Sequence, residues 1–190
     1  PIKPLIFGEF GFSSRGETVT PATRDGIHLH NALWASTFNG FATAVMYWWW
    51  DDYIDAGNLW PRFRGLAAFL ADEDLAALTP ITATTTPQAT AMSLMNAEHG
   101  LLWLRNNAWN QSDASFRYSI SQSTGEPFVF APKALIGVRV ELAGVTGAWL
   151  VEWRDTDTGQ PISTTQATAN NGRLTLVAPA FATDICAKLR

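Results

Sequence analysis

Hydrophobic and polar positions follow one period in the first part of the chain and a different period in the second part. In the first part, uninterrupted apolar runs at residues 5–7 and 41–50 alternate with stretches at 20–38 and 61–70 in which apolar side chains recur every three or four positions. Such runs are typical of strands buried on both faces, and the three-to-four period is typical of amphipathic helices. The order strand, helix, strand, helix predicts two strand-helix units of a parallel sheet over residues 1–78.

The two predicted helices carry recognisable ends. A Thr-Pro pair at residues 20–21 predicts the start of the first helix, and an Asn-Gly pair at 39–40 predicts its end. An acidic run at residues 72–74 follows the second helix, and we expect these side chains to end it in water. The stripe predicted for the buried face of the first helix consists of Ile27, His30, Trp34 and Phe38.

The pattern changes to short alternating segments after a threonine-rich stretch. Residues 79–90 hold six threonines and two prolines, a composition typical of a linker or of an edge strand. Turn signals such as Asn-Asn-Gly at 170–172 separate the segments that follow, so we predict an antiparallel β-sandwich over residues 91–190. The predicted strands lie near residues 91–95, 100–105, 114–120, 134–142, 147–154, 161–168, 173–178 and 184–189. The fold class is therefore α/β followed by all-β.

Composition and charge exclude several classes of protein. Charged residues make up 16% of the 190 residues and apolar residues 47%, whereas a typical domain has roughly 25% charged residues, and this balance excludes intrinsic disorder. The net charge of −4 argues against a nucleic-acid partner, because such surfaces are basic. No apolar run reaches the ~18 residues of a membrane helix. The single cysteine, Cys186, excludes an intrachain disulfide and a cysteine zinc cluster, so we expect no metal or cofactor and a buried thiol.

Nine tryptophans are the unusual feature of the composition, and their flat faces suit a carbohydrate surface. Trp48, Trp49 and Trp50 are adjacent, so alternate rings face opposite sides of a strand. We expect at least one ring in the core and at least one at a binding site, with Trp48 favoured for the site. Trp109 stands in an asparagine-rich loop and is a candidate for an exposed stacking residue. The tryptophans expected in the sandwich core are Trp103, Trp149 and Trp153.

Two motifs in the first part of the chain resemble a known enzyme family. Residues 3–11, which contain Gly-Glu-Phe-Gly at 8–11, and residues 46–54, which contain Trp-Trp-Trp-Asp at 48–51, resemble the end of the catalytic barrel of retaining glycoside hydrolases of the large (β/α)₈ clan, the cellulase and mannanase group. Residues 58–70 resemble the last helix of that barrel, and segments such as 151–159 and 179–185 resemble the small C-terminal β-domain of such enzymes.

The resemblance implies a role for individual residues. In that clan the glutamate of Gly-Glu-Phe-Gly closes the seventh strand and is the nucleophile, which implies a catalytic role for Glu9. The tryptophan at the end of the eighth strand floors the sugar site, which implies substrate binding by Trp48 and Trp50. Asp51 is a candidate for binding sugar hydroxyls, with a solvated loop carboxylate as the alternative. His28 and His30 lie in the predicted helix, and we expect them to be packing residues rather than catalytic bases.

The chain departs from the family in two respects. A complete barrel takes ~250 residues, whereas residues 1–78 supply two of its eight strand-helix units. The acid/base glutamate of the family follows an asparagine, and no Asn-Glu pair occurs in this sequence. We therefore expect the C-terminal part of a longer retaining hydrolase, exported like other polysaccharide hydrolases, and no activity from this chain alone.

The expected partners follow from the same interpretation. They are a polysaccharide or oligosaccharide, the remainder of the barrel, and a second copy of the chain, because open strand edges and apolar faces recruit neighbours. We expect neither a nucleic acid nor a membrane as partner. The alternative is a β-sandwich module that binds carbohydrate or another matrix polymer, or that only braces its neighbours, without catalysis.

Overall fold

A computed structural model describes residues 5–14, 16–42 and 44–190 of the chain. The Lys-Pro pair at 3–4, with which the family resemblance begins, lies outside the described residues, as does one position of the predicted strand at 41–50.

The helices fall in two groups along the chain. The first part holds α1 (Ile27–Phe38), a π-helical turn (Trp50–Asp55), α2 (Arg62–Leu70) and a 3-10 turn (Leu75–Ala77). The second part holds α3 (Gln111–Thr124). None of the helices in the described ranges is long and apolar enough to cross a membrane.

Nine strands form two antiparallel sheets in the described part of the chain. The order in the larger sheet is β1-β3-β4-β9-β6-β7 and in the smaller sheet β2-β5-β8, and each of these neighbouring pairs is antiparallel. The mostly antiparallel content agrees with the predicted β-sandwich. The strands are β1 (Thr79–Ile81), β2 (Ala83–Thr85), β3 (Ala89–Met95), β4 (Gly100–Asn106), β5 (Arg139–Ala143), β6 (Ala148–Arg154), β7 (Pro161–Thr168), β8 (Arg173–Val177) and β9 (Asp184–Leu189).

The predicted strand at 114–120 is wrong, because this segment belongs to α3. Residue types alternate there as in a strand, but the flanking residues are helix caps. The Asn110 side chain accepts a hydrogen bond from the Asp113 N–H at 2.9 Å, and Gly125 ends the helix with φ of 74°. The helix buries a narrow stripe that includes Ala114, so Phe116 remains exposed.

The two strands predicted at 5–7 and 41–50 are not formed as such. The described residues between 5 and 78 contain no continuous strand, and one parallel bridge joins Phe10 to Tyr47. The side chains at 5–7 are exposed, contrary to the prediction of burial on both faces, because no layer of the described structure covers them. Burial still alternates at residues 45–48, because Val45 and Tyr47 are buried whereas Met46 and Trp48 are exposed.

The prediction for the first helix is confirmed in its stripe and its end, but not in its start. All four residues of the stripe are buried, and Asn39 follows the last helical residue. The helix begins at Ile27 rather than near Thr20, because Gly26 adopts a left-handed conformation with φ of 61°. The segment before it is a separate turn, in which the Thr23 N–H donates to the Thr20 carbonyl at 3.0 Å.

The six-stranded sheet is covered on both faces, so the molecule has two main cores. The inner core lies between the two sheets and contains Trp149 and Trp153, as predicted. The outer core lies between the six-stranded sheet and the helices of the first part, where Trp103 and Cys186 are buried. The predicted burial of both is confirmed, but Trp103 belongs to this core and not to the sandwich core, because its side chain points to the face of β4 that the helices cover. Burial raises the pKa of the Cys186 thiol. Other members of the outer core are Leu33, Trp34, Phe38, Tyr53, Phe69, Leu94 and Leu101.

A buried carboxylate ties α1 to the six-stranded sheet. The His30 Nε2 and the Trp103 Nε1–H lie 2.7 and 2.8 Å from Asp184 Oδ2, and the Thr156 hydroxyl donates to Oδ1 at 2.7 Å. Burial by itself raises the pKa of the Asp184 carboxyl, but the His30 imidazole and the three hydrogen bonds outweigh burial and hold the pKa below its ordinary value. The carboxylate therefore stabilises the folded state as a charged acceptor.

A second buried carboxylate follows α2, where the sequence predicts solvated acids. The Glu73 side chain is 4% exposed and contacts Lys188 Nζ at 2.5 Å and the His99 imidazole. Burial by itself raises the pKa of the Glu73 carboxyl. The hydrogen bonds and charges of Lys188 and His99 together outweigh burial, so the pKa of Glu73 lies below its ordinary value. The prediction that this acid ends the helix in water is wrong, because β9 presents a lysine to it.

The α2 helix and the turn between β6 and β7 touch backbone to backbone. A Cβ at Gly65 would lie 1.8 Å from the carbonyl oxygen of Thr156, and a Cβ at Gly159 would lie 2.6 Å from the Cβ of Ala68. Glycine is therefore required at both positions for this approach.

Candidate functional site

An open groove of about 380 Å³ lies where the two sequence motifs meet. Residues 9–14 form one wall, and Trp48 and Trp49 form the other. The groove therefore brings together Glu9, the predicted catalytic carboxylate, and Trp48, the tryptophan favoured for the binding site.

The parallel bridge sets the register of the two walls. The Phe10 N–H donates to the Met46 carbonyl at 3.0 Å, and the Trp48 N–H donates to the Phe10 carbonyl at 2.8 Å. This pairing places Glu9, which precedes Phe10, beside the residues that lead into Trp48. Both predicted side chains are exposed, and the Trp48 ring is 55% accessible.

Trp49 ties the two walls of the groove together. Its indole Nε1–H donates to the Ser13 carbonyl at 2.6 Å, which ties the loop after the glycine motif to the tryptophan segment. A Cβ at Gly11 would lie 2.9 Å from this Nε1, so the second glycine of the motif makes room for the indole. The Trp48 and Trp49 rings pack edge to face with centroids 6.5 Å apart.

Three other residues predicted for substrate binding lie outside the groove. Trp50 is exposed, and Asp51 is exposed with its Oδ1 accepting a hydrogen bond from the Asp52 N–H at 2.9 Å. Trp109 is 6% exposed, so the prediction of an exposed stacking ring is wrong. Its ring packs edge-on against His30 at 5.0 Å, which leaves no free face for a sugar.

A buried polar cluster that sequence reasoning missed lies behind the groove. His28 Nε2 is 2.8 Å from Glu17 Oε1 and 2.6 Å from Tyr47 Oη, and its Nδ1 is 3.1 Å from Gln111 Oε1. Tyr53 stacks on the His28 ring at 5.1 Å. The sequence signal for this cluster is weak, because its members come from four separate segments.

Tyr53 limits how the cluster can titrate. Its hydroxyl donates to the Thr23 carbonyl. Burial, followed by the charge of Glu17, raises the pKa of this phenol well above its ordinary value. Tyr53 is therefore a neutral packing and hydrogen-bonding residue.

A larger groove of about 710 Å³ lies in the second part of the chain, between α3 and residues 129–133. Phe116 and Val129 expose apolar surface there, and Arg117 and Lys133 bring positive charge. Among the described residues, no group of three or more histidine, cysteine, aspartate or glutamate side chains is placed to hold a metal ion.

Comparisons with known proteins give matches of structure only. No family model and no curated protein matches the sequence. The structure is similar to that of a GH30 endoxylanase from Clostridium papyrosolvens C71, at 14% identity and a TM-score of 0.49, over 98% of this chain and 42% of that one. It is also similar to alpha-L-fucosidase isoenzyme 2 from Paenibacillus thiaminolyticus, at 16% identity and a TM-score of 0.35, over 57% of this chain and 15% of that one. Both are glycoside hydrolases, the class that the sequence resembles. The chain thus spans less than half the length of the endoxylanase.

Proposed function

We propose that the chain is the C-terminal part of a retaining O-glycosyl hydrolase that acts on polysaccharide. The observation that carries this proposal is the groove shared by Glu9 and Trp48, because it joins a carboxylate and an exposed aromatic face. In this proposal Glu9 is the nucleophile, and its carboxylate attacks the anomeric carbon to form a glycosyl-enzyme intermediate. A second carboxyl, about 5–5.5 Å away, protonates the leaving oxygen and comes from a segment outside this sequence.

Trp48 would hold the sugar ring. The exposed indole face packs against the apolar C–H face of a pyranose, while the sugar hydroxyls find polar partners at the rim. Trp50 and Asp51, exposed just beyond the groove, would contact more distant sugar units of a polymer.

The proposal also divides the chain into functional parts. Residues 1–78 would be the last two strand-helix units of a (β/α)₈ barrel, 79–90 the connection, and 91–190 an accessory β-sandwich. The exposed apolar side chains at 5–7 would then face the remainder of the barrel or, in the chain by itself, a second copy. Such an enzyme would act outside the cytoplasm, where polysaccharide is found.

Binding of oligosaccharides by the chain tests the proposal. Xylo-, cello- and manno-oligosaccharides are titrated into ¹⁵N-labelled protein, and we expect one series to shift the indole signals of Trp48 and Trp49. Trp48→Ala abolishes the shift of the Trp49 signal, whereas Trp60→Ala, which removes an exposed tryptophan outside the groove, leaves the shifts of both signals. A sugar site in the groove is contradicted if an oligosaccharide still binds the Trp48→Ala variant with unchanged affinity. It is also contradicted if no series binds at millimolar concentration.

The proposed role of Glu9 as nucleophile is tested by a separate measurement of activity. The chain alone releases no reducing sugar, because it lacks the acid/base. If the chain releases reducing sugar and Glu9→Gln abolishes that release, the expectation that the chain lacks its acid/base is wrong. In a longer protein that supplies the missing units, an activated 2-fluoro glycoside labels Glu9, and labelling of another carboxylate contradicts its assignment as nucleophile.

The second candidate is a non-catalytic polymer-binding sandwich, which the groove beside α3 favours. The exposed Phe116 and Val129 would contact polymer, with Arg117 and Lys133 at the rim. If this candidate is right, Phe116→Ala weakens polymer binding and Trp48→Ala has no effect on it. Comparing these two variants therefore separates the two functions.

A further inference from the structure

The buried polar cluster behind the groove contains a carboxylate with little to satisfy it. The Glu17 side chain is 5% exposed, and among the described residues neither of its carboxyl oxygens has a hydrogen-bond partner. Its Oε1 lies 2.8 Å from His28 Nε2, which is itself in a side chain only 9% exposed. A buried carboxyl group is costly without a polar or charged neighbour, and His28 is the neighbour that the structure supplies.

The hydrogen bonds of Gln111 show that His28 carries a proton on Nδ1. The Gln111 Nε2 amide donates to the Ala22 carbonyl at 2.9 Å and to the Ser115 hydroxyl at 3.2 Å, which fixes the orientation of the amide. Gln111 Oε1 therefore faces His28 Nδ1, and this nitrogen carries a proton. His28 Nε2 faces the Glu17 carboxylate and, at 2.6 Å, the Tyr47 hydroxyl oxygen. His28 Nδ1 thus donates to Gln111, whereas Nε2 lies between the Glu17 carboxylate and a hydroxyl that can donate or accept.

The same imidazole contacts one wall of the groove and the residue that leads into the other. Tyr47, its hydrogen-bond partner, forms the parallel bridge with Phe10 and packs its ring edge-on against the Phe10 ring at 4.8 Å. Phe12, on the loop wall, has its ring centroid 5.4 Å from that of His28. Displacement of the His28 ring would therefore move Phe10 and Phe12, which follow Glu9, and Tyr47, which precedes Trp48.

We propose that His28 is a positioning residue of the groove. It is held between Gln111, Glu17 and Tyr47, and it sets the separation of Glu9 and Trp48 through Tyr47 and Phe12. This inference rests on the proposed function, because it assumes that Glu9 and Trp48 act together on a sugar. The positions of the groove residues can nevertheless be measured without a substrate. His28 does not touch the sugar or take a proton from it.

The first test reads the ring directly. In ¹⁵N spectra of the wild-type chain, Nδ1 of His28 gives the chemical shift of a protonated nitrogen, because it faces the Gln111 amide oxygen. An unprotonated Nδ1 overturns the assignment of His28 to this position.

The second test reads the groove. Tyr47→Phe removes the hydroxyl that His28 holds and keeps the ring against Phe10, so we expect shifts of the Gly11 amide and of the Trp49 indole signal. Tyr53→Phe is the matched control, because it removes another buried hydroxyl beside the His28 ring, one that bonds the backbone of Thr23 and not His28. Equal spectra for Tyr47→Phe and wild type, with both variants folded by thermal melting, contradict the positioning role.

Oligosaccharide affinity separates this inference from the proposed function. For a ligand that binds the wild-type groove, Tyr47→Phe and Glu17→Gln weaken binding about tenfold, which corresponds to about 1.4 kcal/mol, and Tyr53→Phe leaves it unchanged. Full affinity in both variants overturns the positioning role and leaves the proposed function intact. Shifted groove signals in a chain that binds no oligosaccharide support the positioning role and contradict the proposed function.

Discussion

Replacing Asp184 tests how firmly the first part of the chain is fixed to the sheet. Its carboxylate accepts hydrogen bonds from His30, Trp103 and Thr156 and has no access to water. Asp184→Ala leaves all three donors buried without an acceptor. Asp184→Asn keeps the shape: its oxygen can face His30 and Trp103, and its amide can donate to the Thr156 hydroxyl, which rotates to accept.

The magnitudes follow from these three bonds. An unsatisfied buried donor costs about 1–3 kcal/mol, so Asp184→Ala should destabilise the fold by about 4–6 kcal/mol. A hydrogen bond to a charged group is worth about 1 kcal/mol more than a neutral one, so Asp184→Asn should cost about 2–4 kcal/mol. Against a total stability of about 5–15 kcal/mol, the alanine variant is close to unfolding.

Urea denaturation of the wild type and the two variants measures these differences. Because the folded pKa of Asp184 is lowered, its contribution is complete at neutral pH and is lost as the pH falls below the unfolded value of about 3.9 and through the folded pKa. The gap between wild type and Asp184→Asn should therefore narrow under acid conditions. Ser93→Ala is the control, since it removes a buried hydroxyl that has no partner and should be neutral. A cost below about 1 kcal/mol for Asp184→Ala would refute the reasoning.

Three further predictions concern other contacts of the same layers. Lys188→Met leaves the buried Glu73 carboxylate without its nearest cation, so the urea midpoint should fall by an amount equivalent to about 3 kcal/mol; an unchanged midpoint would show that His99 suffices. Residues 79–190 expressed alone expose the outer face of the six-stranded sheet, so they should bind 1-anilinonaphthalene-8-sulfonate, and a sharp melt without dye binding would count against that. Gly11→Ala should displace the Trp49 indole from the Ser13 carbonyl and shift its ¹⁵N signal, and an unperturbed indole signal would mean that the loop yields instead.

The sequence predicts best those elements in which one face is buried and the other is wet. The α1 stripe and the strand around Trp149 and Trp153 have this property, so their periods are visible in the residue types. In α3 the residue types alternate along the middle of the helix, and the pattern indicated a strand. The Asn110 cap and the Gly125 end were the better signals, because caps are set by local backbone geometry rather than by the environment.

The candidate site was predictable in part for a similar reason. Glu9 and Trp48 stand in two short motifs that are visible in the residue types, and the structure brings the two motifs to one groove. His28 and Gln111 are 83 positions apart, and their contact depends on how α1 meets the start of α3. The loop around Trp109 indicated an exposed ring, but the same meeting of α1 and α3 buries it.

The close approach of α2 to the β6–β7 turn has a consequence for how the chain tolerates change. Tips of β-hairpins are ordinarily the places where insertions and tags are accepted, because they lie free in solvent. Here the tip at residues 155–160 rests on the backbone of Gly65, with no room for a single added carbon. An inserted residue in this hairpin would lift α2 from the sheet. Variation among related sequences, and the placement of labels by an engineer, should therefore avoid this tip.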